Sequence, residues 1–539
     1  MWNTDIEYHI PLSSPWLKQV DLKDAQIPSE SREGERFLVL PPNVPERIPV
    51  AEAEAGLPII ENFINGANVP SESNWLLKNV NPATGEVDGY VRASVAEDGE
   101  AAIEAADEAF RNGPWSKMSR TERAAVLESI ADLVAENKEE LARLETADTG
   151  KPLTVSRNVD ISRVEENFRY FAAKLRVQET SSSSLRPGNY TRRSPLGVCV
   201  LIAPWNLPLY LMTWKVAPCI ASGNTCVCKP TELASSTLAK LVSLIASDST
   251  IGPKLKGVIN VVNGRGQDLG DILCTHPSVS AISFTGGTAT GRRIASLAAP
   301  HLKKVSLELG GKNATIIWKD APIEGDRMMP TVIRSAFANS GQICLCGSRI
   351  LVHEDIYDEF ASALVSEASK LKVGDPLDPG TTTGPLVSRE HAWRVHNFVL
   401  WSLHANPEAR VLLGGPEKYD GTAFYPITIL EGVDHDFVAN KEFFGPVVSL
   451  HKFSSEEECI GLANASCYGL AGSLWIQDVA VAHRLARDID TGMLWVNTWM
   501  ERDLNTPFGG VKQSGMGREG GDYSMSFYTK DKDVTMNLA

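Results

Sequence analysis

Four short apolar runs between residues 197 and 286 constrain the fold more than any other feature. They read GVCVLIA, TCVCK, GVINVV and AISFTG, and each is followed by Gly- or Pro-rich residues and a helical stretch. Continuous apolar runs of this kind are typical of strands buried on both faces, and their alternation with helices is typical of a parallel sheet. A second series, ATIIW, RILVH and GMLWVN, follows residue 308. The pattern predicts an α/β fold with a cofactor domain and a second α/β domain.

Length and charge limit what the chain can bind. Its 539 residues can bury a large core, and its formal net charge of -15 provides no basic surface for nucleic acid or anionic lipid. Within the apolar stretch 194–229, Pro204, Pro208, Pro218 and Lys215 would interrupt a membrane-spanning helix. We therefore expect no nucleic-acid partner and no membrane segment.

Cysteine usage and the first residues bear on where the protein resides. The nine cysteines are scattered without the spacing of a disulfide framework, which is typical of a reducing compartment. The start of the chain lacks the basic region and apolar stretch of a signal peptide, so we expect a cytoplasmic protein. Residues 1–55 are rich in proline and charge without a sustained period, and we predict an extension there.

Residues 119–145 are predicted to form one amphipathic helix. Ser119 and Glu122 have the spacing of a capping box. The apolar residues from Leu127 to Leu141 repeat at helical spacing.

Two glycine-rich turns follow apparent strands and are candidates for phosphate binding. The first, residues 264–270, comes close to G-x-G-x-x-G without matching it, and a plain strand-to-helix turn remains an alternative. In the second, a strand that ends at Phe284 is followed by Thr285, Gly286 and Gly287 and then by a helix. The amide groups at the start of that helix could face a pyrophosphate. Together the two turns favour a dinucleotide.

Lys229 and Glu232 follow another of the apparent strands. A carboxylate that accepts hydrogen bonds from ribose hydroxyls also repels a 2′-phosphate, so Glu232 would favour NAD over NADP. The alternative is an acidic residue in the first turn of a helix, where the helix dipole stabilises it. The residues alone leave both interpretations open.

Two cysteine pairs raise the question of a metal or a nucleophile. Cys344 and Cys346 lie two positions apart, as do Cys226 and Cys228. Structural zinc usually uses longer spacings, and no histidine lies beside either pair, so no metal site is expected. A thiolate that attacks an aldehyde forms an oxyanion that preorganised donors stabilise, and hydride transfer to a nicotinamide then leaves a thioester. An inert buried cysteine is the alternative for any single thiol.

Glu308 and Asn206 offer the other groups that this chemistry needs. Glu308, in SLELGGKN, lies among apolar and glycine residues, where a raised pKa would suit a general base for thioester hydrolysis. A paired carboxylate is the alternative there. Asn206, in APWNLP, could donate its side-chain amide to the oxyanion, with an ordinary turn asparagine as the alternative.

Seven motifs occur in one order along the chain: APWNLP, KPTE, FTGG, LELGGKN, FANSGQIC, EFFGPV and TPFGGVKQSGMGRE. In this order they resemble the aldehyde dehydrogenase superfamily, from about residue 60 to the C-terminus. The resemblance implies an α/β fold with a Rossmann-type NAD-binding domain, an α/β catalytic domain and a β oligomerisation arm. It implies NAD as cofactor and a small-molecule aldehyde as substrate.

The same resemblance assigns roles to residues. It implies Cys344 as nucleophile, Glu308 as general base, and Asn206 with the Cys344 backbone amide as oxyanion donors. The cofactor-binding residues that it implies are Ile202, Ala203, Pro204, Trp205, Lys229, Glu232, Gly264, Phe284, Thr285, Gly286, Gly287, Leu309, Gly310, Glu442 and Phe444. Gly287 stands where a serine is usual, so a hydroxyl contact to the pyrophosphate is missing. Relatives that use coenzyme A generally lack the base, so Glu308 implies water as the acyl acceptor.

Two segments, WVNTWMERDLNTPFGG and SPLGVCVLIAPWNLPLYL, most resemble the members that oxidise 2-aminomuconic and 2-hydroxymuconic semialdehydes. Their substrates carry a carboxylate far from the aldehyde. Arg502 matches the substrate arginine of that group and Arg163 a second one, and an arginine fork would bind the carboxylate through two hydrogen bonds. Arg169 is the rival of Arg163, but about 1.7 turns along the helix it would face another direction. An ion pair is the alternative for each arginine.

The resemblance also implies a domain division. The expected segments are an extension (1–55), an NAD-binding domain (56–176 and 197–307), a catalytic domain (308–506), and an oligomerisation arm with a C-terminal segment (177–196 and 507–539). A homodimer or homotetramer is therefore expected. Two other functions stay open from the sequence: a general aliphatic or aromatic aldehyde dehydrogenase, and a non-catalytic structural or binding protein with the same fold.

Overall fold

The computed structural model describes residues 10–11, 37–38, 45–177 and 188–537. Most of the predicted extension and the Ser-rich stretch 178–187 lie outside the described residues. By its contacts the chain divides into two compact units. The first comprises residues 310–500 with 1–44 and 287–290, and the second comprises residues 45–286, 291–309 and 501–539. None of the described helices is both long and apolar enough to cross a membrane.

Short strands alternate with helices along most of the described chain. The strands are β1 (Ile10–Pro11), β2 (Phe37–Leu38), β3 (Arg47–Pro49), β4 (Ile59–Ile60), β5 (Asn62–Ile64), β6 (Ala67–Val69), β7 (Trp75–Val80), β8 (Val87–Arg92), β9 (Asn189–Pro195), β10 (Val198–Ile202), β11 (Thr225–Lys229), β12 (Ile259–Val261), β13 (Val279–Thr285), β14 (Lys304–Glu308), β15 (Ala314–Ile317), β16 (Arg349–His353), β17 (Arg410–Leu413), β18 (Thr428–Glu431), β19 (Val447–Phe453), β20 (Tyr468–Gly469), β21 (Ala471–Trp475), β22 (Met493–Val496), β23 (Val511–Lys512), β24 (Gly515–Met516) and β25 (Thr529–Thr535). The helices are α1 (Ala96–Arg111), α2 (Arg120–Glu136), α3 (Lys138–Thr149), α4 (Leu153–Val155), α5 (Ser162–Val177), α6 (Pro208–Ala221), α7 (Ser236–Ser247), α8 (Gly252–Leu255), α9 (Gly266–Thr275), α10 (Thr288–Ala298), α11 (Met328–Phe337), α12 (Tyr357–Ala368), α13 (Arg389–Ala405), α14 (His435–Ala439), α15 (Glu456–Asn464), α16 (Val479–Asp488) and α17 (Gly521–Phe527).

The second unit contains an eight-stranded sheet in the order β24-β14-β13-β10-β11-β12-β5-β6. Its five central strands are parallel. The chain runs outward from β10 through β11 to β12, and then returns to the other side of β10 for β13 and β14. This is the doubly wound arrangement, in which ligands bind at the carboxyl ends of the strands where the order reverses. The four apolar runs that predicted this sheet are β10, β11, β12 and β13.

The first unit contains a seven-stranded sheet in the order β17-β18-β19-β16-β15-β21-β22. All neighbours are parallel except β17 and β18. Every residue of β15 and β16 is buried, which explains why their sequences are apolar without alternation. The second predicted series of strands is confirmed as β15, β16 and β22.

Two helices replace the single helix predicted over residues 119–145. The capping box is confirmed, since the Ser119 amide donates to the Glu122 carboxylate (2.8 Å) and the Glu122 amide donates to Ser119 Oγ (3.3 Å). The helix ends at Glu136 because Asn137 has φ -107° and ψ 18°, and its side-chain amide donates to the Leu133 carbonyl (2.8 Å). Short polar side chains compete in this way with the helical backbone, and a new helix begins at Lys138.

Smaller sheets complete the second unit. β9 pairs with β25 in antiparallel register over residues 189–195 and 529–535. A four-stranded sheet has the order β3-β7-β8-β4. Residues 189–195 of the predicted arm thus form a two-stranded ribbon with residues 529–535.

A buried ionic cluster connects α3, α7 and the π-helical segment Ser156–Ile161 between α4 and α5. Lys151 Nζ donates to Glu145 (3.4 Å) and to Asp160, and the three side chains are inaccessible to solvent. Thr237 Oγ1 donates to the other oxygen of Glu145 (2.9 Å). Burial raises the pKa of Glu145 to about 7. At Lys151 burial lowers the pKa, but the attraction of Asp160 and Glu145 outweighs it.

Lys151→Met should lower the free energy of unfolding by about 3–5 kcal/mol, because it leaves two buried carboxyl groups without their cation. Both carboxyl groups would then have a folded-state pKa above the unfolded value, so stability is lost as the pH rises. Denaturant titration should therefore show a larger loss at about pH 8 than at about pH 5.

Lys240→Met provides the matched control, since Lys240 pairs with Glu140 (2.7 Å) in a partly exposed ion pair of the same unit. Its loss should stay under about 1 kcal/mol. Equal losses in the free energy of unfolding for Lys151→Met and Lys240→Met would show that the buried cluster contributes no more to stability than a partly exposed ion pair.

Candidate active site

Several predicted site residues follow the carboxyl ends of adjacent parallel strands in the second unit. Ile202 of β10 is the register partner of Phe284 of β13, and Thr285 is the partner of Glu308 of β14. Asn206 lies four residues beyond the end of β10 and is buried. The Gly286 amide donates to the Glu308 carbonyl (3.0 Å). The sheet therefore brings the predicted amide, cofactor turn and base to one edge.

The residues at this edge fit a dinucleotide. Thr285 Oγ1 is buried and has no hydrogen-bond partner among the described residues, so a ligand oxygen can pair with it. Lys229 Nζ donates to the Pro230 carbonyl (3.0 Å) and lies 3.5 Å from Glu232 Oε2. Gly264 has φ +130°, and a Cβ there would lie 3.0 Å from the Ser94 amide nitrogen, so the turn before α9 requires glycine.

The Glu308 carboxylate is buried, and its Oε1 accepts no hydrogen bond from the described residues. Burial and the nearby charge of Glu519 raise its pKa well above the usual value, against the opposing charges of Lys215, Arg502 and Arg518. A Cβ on Gly509 would lie 2.7 Å from Glu308 Oε1. The glycine at residue 509 therefore lets this segment lie close to the carboxylate.

A buried ion pair adjoins Glu308 and was missed by the sequence analysis. Lys215 Nζ donates to Glu519 Oε1 (2.8 Å) and to Ser283 Oγ (3.1 Å), and both charged side chains are buried. Lys215 lies on α6, all of whose residues are buried. The signal in the sequence is a lone lysine within an apolar helix, which is typical of a buried lysine that has a charged partner.

In the first unit, the segment before Cys344 is a tight left-handed turn. Asn339, Ser340 and Gly341 have φ values of 51°, 55° and 72°. A Cβ on Gly341 would lie 2.0 Å from the Gly445 carbonyl oxygen, so this glycine lets two loops touch. Cys344 itself is partly exposed and Cys346 is buried.

Burial raises the pKa of Cys346 to about 12, so this thiol is protonated and inert at neutral pH. Cys226 and Cys228 are likewise buried, with their sulfur atoms 3.8 Å apart. Within the described ranges, no group of three or more His, Cys, Asp or Glu residues is placed to hold a metal ion.

Asn313 holds the backbone on both sides of Leu345, a role that the sequence analysis did not assign. Its Nδ2 donates to the carbonyls of Cys344 (2.7 Å) and Cys346 (2.9 Å), and its Oδ1 accepts from the Ala471 amide (3.0 Å). The Cys346 amide donates to the Ile343 carbonyl (2.9 Å). Because the Ile343 carbonyl and the Cys344 amide belong to one planar peptide and point in opposite directions, this bond also fixes the direction of the Cys344 N–H.

Glu442 lies in the same unit, beside two glycines. The Gly311 amide donates to Glu442 Oε1 (3.0 Å), and a Cβ on Gly310 would lie 2.5 Å from Glu442 Oε2. A Cβ on Gly311 would lie 2.7 Å from the Cys344 carbonyl oxygen. A side chain at residue 310 would clash with Glu442, and one at residue 311 would clash with the Cys344 backbone. The two glycines therefore allow Glu442 and the Cys344 segment to pack against the same loop. Phe444 has φ +51°, and its carbonyl bonds to a histidine ring nitrogen (2.7 Å).

The two predicted substrate arginines contact the same tyrosine, Tyr210, in the second unit. Arg502 Nη1 donates to Tyr210 Oη (2.9 Å), and the Arg502 guanidinium lies 5.2 Å from the Trp214 ring and 3.9 Å from the Phe508 ring. The Arg163 guanidinium lies 5.7 Å from the Tyr210 ring, and its Nη1 is 3.2 Å from Glu166. The sequence analysis missed Tyr210.

The three arginines differ in how their charge is balanced. Arg169 pairs with two carboxylates, Asp132 (2.9 Å) and Glu165 (2.8 Å). Arg163 has one carboxylate partner, and Arg502 has no carboxylate within ion-pair distance among the residues that the structure describes. Arg169 and Arg502 both line an open groove of this unit, so the difference between them lies in their ion pairs. The contacts favour Arg502 over Arg169 as the arginine available to a ligand.

Comparisons with known proteins agree on one family. The model described as "Aldehyde dehydrogenase family" matches residues 69–534. The 2-aminomuconic semialdehyde dehydrogenase of Danio rerio is 44% identical over 487 residues, which cover 89% of this chain and 98% of that protein. The 2-hydroxymuconic semialdehyde dehydrogenase of Pseudomonas sp. (strain CF600) is 41% identical over 492 residues, covering 89% and 99%. The NAD+ complex of aldehyde dehydrogenase from Bacillus cereus has a TM-score of 0.85 at 37% identity, covering 92% of this chain and 100% of that one.

Glu519→Gln should lower the pKa of Glu308, because it removes a negative charge that raises this pKa and leaves the positive charge of Lys215 uncompensated. Infrared titration of the carboxyl stretch, with Glu308→Gln to identify the band, measures the shift. Glu128→Gln is the control, since Glu128 pairs with Arg176 (2.8 Å) on the surface of the same unit. An unchanged Glu308 band in Glu519→Gln would show that Glu519 exerts no charge effect on Glu308.

Proposed function

Because the chain belongs to the aldehyde dehydrogenase family, we propose that it oxidises an aldehyde that carries a distant carboxylate to the corresponding acid, with NAD as cofactor. The relatives named above as 2-aminomuconic and 2-hydroxymuconic semialdehyde dehydrogenases support this substrate class. The observation that carries the proposal is Arg502, whose guanidinium donates one hydrogen bond to Tyr210 and has no carboxylate partner among the described residues. A guanidinium with open donors is suited to bind a carboxylate through two hydrogen bonds.

The residues that would hold NAD lie in both units. In the second unit they are residues 202–205, Lys229, Glu232, the Gly264 turn, and residues 284–286 with Leu309; in the first they are Gly287, Gly310, Glu442 and Phe444. The unpartnered Thr285 Oγ1 and the Lys229–Glu232 pair support this assignment. When bound, NAD supplies the acceptor for the hydride that leaves the aldehyde carbon.

Cys344 is the nucleophile in this proposal. Its thiolate attacks the aldehyde carbon, and the oxygen that becomes negative accepts hydrogen bonds from the Asn206 side chain and the Cys344 backbone amide. The fixed direction of the Cys344 N–H supports its part in this role. Loss of the hydride then leaves the acyl group on sulfur as a thioester.

Glu308 is the general base for the second half of the reaction. It removes a proton from water, the hydroxide adds to the thioester carbon, and the Cys344 thiolate leaves as the acid forms. Its raised pKa makes it a stronger base once ionised, and its Oε1, which accepts no hydrogen bond from the described residues, can accept one from a water molecule. Hydrolysis should therefore speed up as the pH rises through the pKa of Glu308.

The domain roles, assembly and location also belong to this proposal. The unit that contains the doubly wound sheet binds most of the cofactor, and the unit that contains Cys344 supplies the nucleophile. The ribbon of β9 and β25 mediates a homodimer or homotetramer, since its two strands pair with each other and leave outer edges for further strands. Cysteine usage without a disulfide framework supports a cytoplasmic location.

Cys344→Ala should abolish NADH formation, because no other thiol of this segment is accessible. Cys346→Ala is the matched control two residues away and should keep most of the activity, with a stability loss of about 1 kcal/mol from the small cavity. Absorbance at the NADH band measures both variants. Substantial turnover by Cys344→Ala would overturn the assignment of the nucleophile.

Arg502→Ala should raise KM for a carboxylated aldehyde on the order of tenfold or more, because a charge-assisted hydrogen-bonded pair is lost, while KM for a neutral aldehyde stays nearly constant. Adipate semialdehyde and hexanal form a suitable pair of equal length. The control is Arg176→Ala, which removes an exposed arginine that pairs with Glu128. A wild-type enzyme that oxidises both aldehydes with similar kcat/KM would point instead to a general aldehyde dehydrogenase.

A further inference from the structure

We infer that Tyr210 is a positioning residue that sets the preference for carboxylated aldehydes, because it holds the two proposed substrate arginines in one place. This inference rests on the proposed function. Tyr210 is 2% exposed, so its ring and hydroxyl have fixed surroundings. Its hydroxyl accepts a hydrogen bond from Arg502 (2.9 Å), and its ring lies 5.7 Å from the Arg163 guanidinium.

A tyrosine is suited to hold two cations together. The face of the ring attracts one guanidinium, and the lone pairs of the phenolic oxygen accept an N–H from another. Two neighbouring positive charges repel each other. Among the described residues, Glu166 lies within ion-pair distance of Arg163, and no carboxylate lies within that distance of Arg502. A ligand carboxylate that bound between or beside them would relieve this repulsion. Tyr210 therefore holds the guanidinium groups of Arg163 and Arg502 in a carboxylate-binding site, where a ligand anion compensates their positive charge.

The backbone around Tyr210 fixes the position of this carboxylate-binding site relative to the predicted oxyanion donor. Asn167 on α5 donates from Nδ2 to the Tyr210 carbonyl (3.2 Å) and to Thr213 Oγ1 (3.1 Å), so α5 and α6 are locked together. Arg163 lies one helical turn before Asn167 on α5, and Asn206 lies two residues before the start of α6, the helix that carries Tyr210. The packing of α5 against α6 thereby sets the distance between the carboxylate-binding site and Asn206. This distance selects substrates of a matching length.

Tyr210→Phe tests the contribution of the hydroxyl alone, because the ring remains against Arg163 and the buried volume is nearly unchanged. Tyr210→Phe should raise KM for adipate semialdehyde on the order of tenfold with little change in kcat, and should leave KM for hexanal nearly constant. Adipate, used as a product-like inhibitor, should bind correspondingly more weakly. Tyr523→Phe, at an exposed tyrosine of the same unit, is the matched control. Thermal denaturation of each variant checks that the fold is intact.

A double-mutant cycle tests whether Tyr210 acts through Arg502. If it does, Tyr210→Phe has little further effect on KM for adipate semialdehyde in the Arg502→Ala background. Additive effects, or an equal loss on hexanal, would overturn the inference and leave Tyr210 with a structural role. A wild-type enzyme without preference for adipate semialdehyde would overturn the proposed substrate class and this inference together. A wild-type preference that Tyr210→Phe retains would overturn this inference alone.

Discussion

The parallel register of β10, β13 and β14 is the constraint on which the rest of the candidate site depends. Hydrogen bonding pairs Ile202 with Phe284 and Thr285 with Glu308, so three chain segments leave the sheet at the same edge. A shift of one residue in a strand would turn its side chains to the other face of the sheet. The amide at Asn206, the glycine turn after β13 and the carboxylate at the end of β14 are therefore placed by backbone pairing, before any side-chain contact.

Buried charge is the second physical theme of the molecule. Lys215 and Glu519 are buried as a hydrogen-bonded pair beside Glu308, and Lys151 is buried between two carboxylates in another part of the same unit. Burying a charge is costly unless a partner compensates it, so the members of each cluster must be buried together. Each cluster also keeps one carboxylate oxygen without a hydrogen-bond partner among the described residues, Asp160 Oδ1 in one and Glu308 Oε1 in the other. Of these two, Glu308 Oε1 belongs to the last residue of β14, at the carboxyl ends of the parallel strands where the candidate site lies.

Local patterns in the sequence predicted what local physics determines. Strands buried on both faces are mostly apolar, so the apolar runs predicted β10 to β13, β15 and β16. The same pattern predicted β22, which is a partly exposed strand at the edge of its sheet. The capping box at Ser119 was predicted because it, too, is a local pattern. The break between α2 and α3 was not predicted, because it depends on the side chain of Asn137 alone. The pairing of Lys215 with Glu519, 304 residues apart, and of Arg502 with Tyr210, 292 apart, leaves no periodic signal. Such contacts exist only once the fold has formed.

The arginine proposed to bind the substrate carboxylate also affects the pKa of Glu308, the proposed base. The positive charge of Arg502 is among those that hold the pKa of Glu308 down against burial and Glu519. A bound carboxylate would neutralise Arg502 and remove part of that opposition, so the pKa of Glu308 would rise further with substrate in place. A base with a higher pKa holds its proton more firmly in the enzyme–substrate complex and is a stronger base once that proton is lost. In the proposed mechanism, the charge of Arg502 thus couples substrate binding to the rate of hydrolysis.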